Sequence, residues 1–117
     1  MTMKYGKYIA IVGILIIGVA LMSTQVGAHA PRYMKLVYQP GTLQMTILHF
    51  SPAKTFHYVY KVDVEKNGAL VASQQYTSQP KFFFYTYSYN VTAAAGDTLT
   101  VTANCVLFGK LTRSITV

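Results

Sequence analysis

The segment YKVDVEKNGA, from Tyr60 to Ala69, carries the strongest fold signal in this chain of 117 residues. From Tyr60 to Glu65 the residue types alternate, and a period of two is typical of a β-strand with one buried and one solvated face. The pair Asn67-Gly68 predicts a two-residue turn, because both residues tolerate positive φ. The segment therefore predicts a β-hairpin.

Short runs rich in Val, Ile, Thr, Tyr and Phe, separated by turn signals, continue on both sides of this hairpin from Tyr33 onward. They predict strands at Met34–Tyr38, Thr42–His49, His57–Lys66, Ala69–Tyr76, Lys81–Tyr89, Thr98–Leu107 and Leu111–Val117. Strands at spacings of roughly 8–12 residues predict an all-β fold, a seven-stranded immunoglobulin-like sandwich over residues 31–117. No segment after residue 30 has a comparable helical periodicity.

The first 30 residues follow another pattern and predict an N-terminal hydrophobic helix. Lys4 and Lys7 precede an uncharged apolar run, and small residues follow it up to Ala30. A basic start, an apolar centre and small residues at a cleavage site are typical of a secretory signal peptide. Cleavage after Ala28 would release a chain that begins at His29, and cleavage after Ala30 would release one that begins at Pro31. Proline is a poor residue just after a cleavage site, so the first cut is favoured.

The alternative for the same segment is a retained membrane anchor. Residues 8–28 form a stretch of 21 residues, which at about 1.5 Å per residue is long enough to cross a hydrocarbon core of about 30 Å. The two lysines orient the amino terminus to the cytoplasm in either case. The domain is therefore expected to be secreted, or held at the cell surface, outside the cytoplasm.

The charge distribution bears on the choice of partner. Lys and Arg number 10 and Asp and Glu number 3, which gives a net charge of +7. The basic residues after the apolar run are spread singly, whereas nucleic-acid-binding proteins usually concentrate them on a stripe or helix. Nucleic acid is not an expected partner, while a general preference for anionic surfaces stays open.

The most aromatic predicted strand, FFFYTYSY at residues 82–89, allows two interpretations. Alternation places Phe83, Tyr85, Tyr87 and Tyr89 on one face. This face belongs to the core, or it forms an interface with a protein partner or another copy of the chain. The triplet that begins at Asn90 is an N-glycosylation acceptor if the chain is exported in an organism that glycosylates.

Few residues could carry chemistry, since the chain has 3 His, 3 acidic residues and 1 Cys. His49 ends one predicted strand and His57 begins the next, and in an immunoglobulin-like sandwich the third strand neighbours the sixth, which holds Cys105. Together with His29 these residues form a candidate site, because imidazole and thiolate suit copper, zinc or iron. Alternatively, His29 belongs to the leader, the other histidines are solvated, and Cys105 is an inert core thiol.

These residues stand in segments that resemble the iron-binding domain of superoxide reductase (neelaredoxin and desulfoferrodoxin). The matching segments are His29-Ala30-Pro31, the single His49, His57-Tyr58-Val59, and Asn104-Cys105 followed by Gly109. The resemblance implies an immunoglobulin-like sandwich and an iron ion bound through four His and one Cys. It assigns ligand positions to His29, His49, His57 and Cys105.

The chain departs from that family at four places, of which two are the reversed order of Asn104-Cys105 and a longer gap between His49 and His57. Phe108 stands where the family has its fourth ligand His, and Gly27-Ala28 stand where it has Glu-Lys. The resemblance therefore implies one metal ion (copper, iron or zinc) held by three His and one Cys, and it leaves enzymatic activity open.

Two functions are consistent with the sequence. The first is an exported or membrane-anchored metal-binding domain with a redox role. The second is a structural or interaction module, as a subunit of an extracellular filament or of a membrane complex, that associates through the aromatic strand or an open sheet edge.

Overall fold

A computed structural model describes residues 30–117 of the chain. Within this range the chain forms seven strands and no helix. The strands are β1 (Tyr33–Gln39), β2 (Thr42–Leu48), β3 (Val59–Lys66), β4 (Ala69–Gln75), β5 (Phe84–Asn90), β6 (Thr98–Cys105) and β7 (Lys110–Thr116). The predicted N-terminal hydrophobic segment lies outside the described residues, apart from Ala30. No helix between residues 30 and 117 is long and apolar enough to span a membrane.

The strands form two antiparallel sheets that pack face to face. One sheet has the order β1-β2-β5 and the other the order β4-β3-β6-β7. The prediction of an all-β, seven-stranded sandwich is confirmed, and so is the pairing of the third strand with the sixth. Two antiparallel sheets of this kind form a β-sandwich, in which β4 pairs with β3.

The hairpin between β3 and β4 forms at the predicted pair. Lys66 opposes Ala69, and the two residues between them have φ values of 52° at Asn67 and 84° at Gly68. Positive φ at both central positions matches the twist of the flanking strands.

Alternation along the central strands builds the core. On β3 the inward side chains are Val62 and Val64, and on β6 the buried residues alternate with half-buried ones over the whole strand. Burying one such side chain contributes about 1.5–3 kcal/mol to stability. The fully buried apolar residues are Leu43, Met45, Ile47, Val62, Val64, Leu99, Val101 and Ala103.

The strands differ from the prediction mainly at one end of the sandwich. β3 begins at Val59 instead of His57, β5 begins at Phe84 instead of residue 81, and β6 ends at Cys105 instead of residue 107. The early part of the predicted third strand is a turn, since the amides of Phe56 and His57 both donate to the Ala53 carbonyl. The irregular backbone at this end surrounds the candidate ligands.

Candidate metal centre

Three of the four predicted ligands converge at this end of the sandwich. His49 follows β2, His57 lies in the connection before β3, and Cys105 is the last residue of β6. One ligand atom from each can be chosen so that all lie within 4.8 Å of one another. Ligand atoms at about 2.0–2.3 Å from a common ion lie at most about 4.6 Å apart, so the three donors are grouped at nearly the spacing that one metal ion requires.

Strand pairing positions the thiol. Val59 opposes Cys105 across the β3–β6 ladder, and the alternation of β6 turns Cys105 to the buried face. Its backbone amide donates to the Gly109 carbonyl at 3.0 Å. The thiol thus lies on the buried face at the end of β6, opposite Val59, and His57 precedes Val59 by two residues.

A tight turn positions His57. Its amide donates to the Ala53 carbonyl at 2.7 Å, and its own carbonyl accepts a hydrogen bond from the Ser51 hydroxyl. The imidazole is half-buried and packs edge-on against His49, with ring centroids 4.6 Å apart and an interplanar angle of 82°. The two imidazoles, at the two ends of the connection between β2 and β3, therefore lie in contact.

Gln79 fixes the orientation of His49. Its Nε2 donates to the carbonyls of His49 at 2.6 Å and Lys81 at 2.9 Å. Two carbonyl acceptors identify this atom as the amide nitrogen, so the atom facing His49 Nδ1, at 2.6 Å, is the oxygen Oε1. An amide oxygen only accepts, and Nδ1 must carry the proton. The lone pair of the neutral ring is then on Nε2, as a metal ligand requires.

Tyr85 completes this network. Its hydroxyl donates to Gln79 Oε1 at 3.2 Å. Burial, followed by the neighbouring Tyr87 and Cys105, raises the pKa of Tyr85 far above its usual range. The phenol therefore stays protonated and remains a donor, and His49, Gln79 and Tyr85 are all buried.

The fourth predicted ligand, His29, lies outside the described residues, but its neighbour Ala30 has a defined place. A Cβ atom built on Gly109 would lie 2.8 Å from the Cβ of Ala30. Ala30 also lines a cavity of about 380 Å³ together with Arg32, Leu48, His49, Phe50 and Phe83. The described chain therefore starts between the loop that follows Cys105 and the wall that contains His49.

Phe108, at the position of the resembled family's fourth ligand, projects from the loop after Cys105. Its side chain is 72% exposed. A phenyl group cannot ligate a metal ion, so this loop supplies one donor, the Cys105 thiol.

The predicted interface residues differ in position, since Phe83 precedes β5 and the three tyrosines lie on it. Tyr85 and Tyr89 are buried and Tyr87 is half-buried, while the Tyr89 hydroxyl lies 2.9 Å from that of Tyr76. This is the core arrangement that the alternation allowed, and it leaves Phe83 as the exposed member of the predicted interface. Asn90 is exposed at the end of β5, and its glycosylation stays a prediction.

Sequence reasoning did not identify Gln79, Ser51 or Tyr85 as parts of the site. Ser51 and Gln79 lie in segments that the sequence marks only as turns. Gln79 is 30 residues from its partner His49, and Ser51 meets the His57 carbonyl only once the loop has folded back. No local pattern distinguishes such a residue from an ordinary turn residue. Only the path of the connection between β4 and β5 brings Gln79 to His49.

Comparison with known proteins supports the fold. No family model and no curated protein matches the sequence. Among solved structures, superoxide reductase (1Fe-SOR) from Giardia intestinalis is similar, with a TM-score of 0.55 and 16% identity over 76% of this chain and 97% of that chain. Superoxide reductase (neelaredoxin) from Ignicoccus hospitalis has a TM-score of 0.49 and 12% identity, over 74% of this chain and 80% of that chain. The chain has a superoxide-reductase-like fold, as the sequence resemblance predicted.

Proposed function

We propose that this chain is an exported or membrane-anchored domain that binds one metal ion in a redox role. The ligands are His49, His57 and Cys105, with His29 as the fourth. The observation that carries the proposal is the convergence of the first three donors within 4.8 Å. The superoxide-reductase-like fold adds support, since the similar Giardia structure is named a one-iron protein.

The donor set fits a transition metal. Imidazole and thiolate ligands together select iron, copper or zinc over the hard cations that prefer oxygen ligands. Iron or copper would supply one-electron chemistry at the site, and the thiolate and its surroundings would tune the potential. Zinc has no redox chemistry, so zinc as the native metal would support a metal site and contradict the redox role.

Hydrogen bonds within the chain hold the three ligand residues in position. Gln79 accepts a hydrogen bond from His49 Nδ1, which leaves Nε2 as the nitrogen that binds the metal. Ser51 holds the His57 carbonyl, and the hydrogen bond from the Cys105 amide to Gly109 shapes the turn beside the thiol. These contacts preorganise the donors, so less ordering entropy is lost when a metal ion binds.

The proposal does not include superoxide reduction. The family's fourth His is replaced by the exposed Phe108, so the proposed site holds at most three imidazoles and one thiolate. A set of four ligands is sufficient for a stable mononuclear site of iron, copper or zinc.

The export part of the proposal rests on the basic start and apolar run of the first 30 residues. Intact mass of protein isolated from its own cells would report the first residue. A chain that begins at residue 1 and stays with membranes supports an anchor, and one that begins at His29 supports cleavage. A full-length chain in the cytosolic fraction would contradict export.

Metal content is the test of function. The full chain, isolated without added metal, is expected to contain one equivalent of iron, copper or zinc by elemental analysis. Cys105→Ala and His57→Ala are expected to lose it, because each removes one donor. Val106→Ala is a matched control, since this exposed neighbour of Cys105 has no donor atom. Unchanged metal content in both ligand variants would contradict the proposal.

A further inference from the structure

The end of the sandwich that holds His49, His57 and Cys105 is called here the metal end. Five exposed aromatic side chains form one surface there, called the aromatic end. They are 45–54% exposed. The rings of Phe50 and Phe83 lie 4.7 Å apart, and Tyr33 and Phe84 meet edge-on at 6.3 Å. Tyr33 and Phe84 both oppose Leu48 on β2, and Leu48 lines the same cavity as Phe50 and Phe83, so the two ring pairs are neighbours. Its members are Tyr33, Phe50, Phe82, Phe83 and Phe84.

Basic residues border this surface. The Lys54 ammonium lies 4.7 Å from the centre of the Phe82 ring. Arg32 lines the same cavity as Phe50 and Phe83, and Lys81 precedes Phe82 in the chain. The aromatic end therefore combines exposed rings with positive charge.

The acidic residues of the chain lie elsewhere. Asp97 binds the side chain of Asn67 at the opposite end of the sandwich, and Asp63 pairs with Lys61 at 3.4 Å within β3. The third acidic residue, Glu65, is two residues nearer the Asn67 turn. At about 3.3 Å per residue, β3 separates the two ends by roughly 23 Å. The aromatic end thus carries positive charge without a neighbouring carboxylate.

The described part of the chain begins at this same surface. Ala30 lines the cavity with Phe50 and Phe83, and a single residue, His29, separates it from the apolar stretch that ends at Ala28. Two residues of chain span at most about 7 Å. A membrane that held a retained apolar stretch would therefore lie next to the aromatic end.

We propose that the aromatic end docks on the surface of an anionic lipid bilayer. Aromatic rings accumulate at the headgroup level of membranes, and lysine and arginine beside them are attracted to anionic headgroups. A second copy of the chain fits this surface less well, because a twofold interface would bring Arg32, Lys54 and Lys81 of one copy against those of the other. Docking turns the His49 side of the ligand cluster toward the bilayer.

The chain contains no Trp, so Phe83→Trp introduces a single fluorescent reporter into the aromatic end. Leu70→Trp is the matched control, because Leu70 is 62% exposed and pairs with Glu65 near the opposite end of β3. Both full-length variants keep the same N-terminal segment. A difference between them therefore reports how the domain lies on the membrane.

The measurement is quenching of each reporter by brominated lipids in phosphatidylcholine vesicles that contain phosphatidylglycerol. Docking predicts several-fold stronger quenching of the Phe83→Trp reporter than of the Leu70→Trp reporter. It also predicts that Lys54→Glu in the Phe83→Trp chain reduces the quenching. Equal quenching of the two reporters would overturn the proposal.

Two further outcomes would also overturn it. A reporter at position 83 that is shielded without lipid, in proportion to protein concentration, would identify a second copy as the occupant. Shielding that requires another purified protein and is unaffected by vesicles would identify a protein partner. The readout needs no bound metal, so loss of metal binding and loss of docking are separate results.

Discussion

The two ends of the sandwich are built by different rules. At the end formed by the β3–β4 turn, Asn67 and Gly68 close a regular hairpin and Asp97 accepts a hydrogen bond from the Asn67 side chain. At the metal end, β3, β5 and β6 are shorter than their residue types predict. The strands stop early there because irregular loop backbone replaces regular strand pairing. This loop backbone brings His49, His57 and Cys105 together. One end fixes the register of the strands, and the other holds the donor atoms.

The largest effect that separates the two ends is expected from Gln79→Leu. This change removes the acceptor for His49 Nδ1 and leaves two carbonyls without a donor. Loss of such an outer partner typically lowers metal affinity by about 10–100-fold. Competition with a chelator would measure the change.

Two further variants sharpen that result. Gln79→Glu keeps an acceptor for Nδ1 but cannot donate to the carbonyls, so it should retain more metal affinity than Gln79→Leu while still losing stability. Gln44→Leu, on the exposed side of β2, is the matched control and should leave affinity unchanged. Equal affinity in Gln79→Leu and Gln44→Leu would contradict the role assigned to Gln79.

A smaller effect is expected from alanine at two glycines with the same backbone. Gly109 and Gly68 have φ values of 79° and 84°, and an L-residue in this region costs about 1–2 kcal/mol. Only Gly109→Ala would also place a Cβ 2.8 Å from that of Ala30. It should lower the free energy of unfolding more than Gly68→Ala, which denaturant unfolding would measure. Equal losses would contradict close packing of Ala30 at the metal end.

Tyr85→Phe should have a milder effect at the metal end. The variant removes one of the two donors to Gln79 Oε1 and keeps the buried ring. A hydrogen bond of this kind contributes about 0.5–1.5 kcal/mol. Thermal unfolding would show a modest loss of stability, and chelator competition would show nearly normal metal affinity. A loss of affinity as large as that in Gln79→Leu would mean that Tyr85 acts directly on the metal.

The smallest effect belongs to Asp97 at the hairpin end. Hydrogen bonds from the Ala94 amide and the Asn67 side chain lower the pKa of this exposed carboxyl. Its contribution to stability is therefore present above the unfolded-state pKa and is lost as the pH falls through the lowered folded-state pKa. Stability measured against pH in the acid range should fall less steeply in Asp97→Asn. Parallel stability curves for the native chain and Asp97→Asn would contradict this contribution of Asp97.

The sequence predicts the regular end more completely than the metal end. Alternation from Tyr60 to Glu65 and the Asn67-Gly68 pair are local patterns, and local patterns determine hairpins. The neighbourhood of His57 and Cys105 was also predictable, because it follows from the pairing of the third and sixth strands. The fold resemblance rests on the same few residues.

The rest depends on contacts between segments far apart in the chain. Gln79 reaches His49 across 30 residues, and nothing in Ser78-Gln79-Pro80 indicates more than a turn. The first two residues of the aromatic run, Phe82 and Phe83, precede β5, so alternation does not determine which way they face. Their orientation is set by backbone hydrogen bonds in the loop, in which the amides of His49 and Ser51 donate to the carbonyls of Phe83 and Phe82.

X-ray absorption spectroscopy of the native, metal-loaded chain tests the central claim most directly. The proposed site predicts one sulfur atom, at about 2.3 Å if the metal is zinc, and imidazole nitrogen atoms at about 2.0–2.1 Å. The sulfur contribution should disappear in Cys105→Ser, the chain's lone cysteine being the donor. A bound metal without sulfur in the native chain, or an unchanged spectrum in Cys105→Ser, would contradict the account.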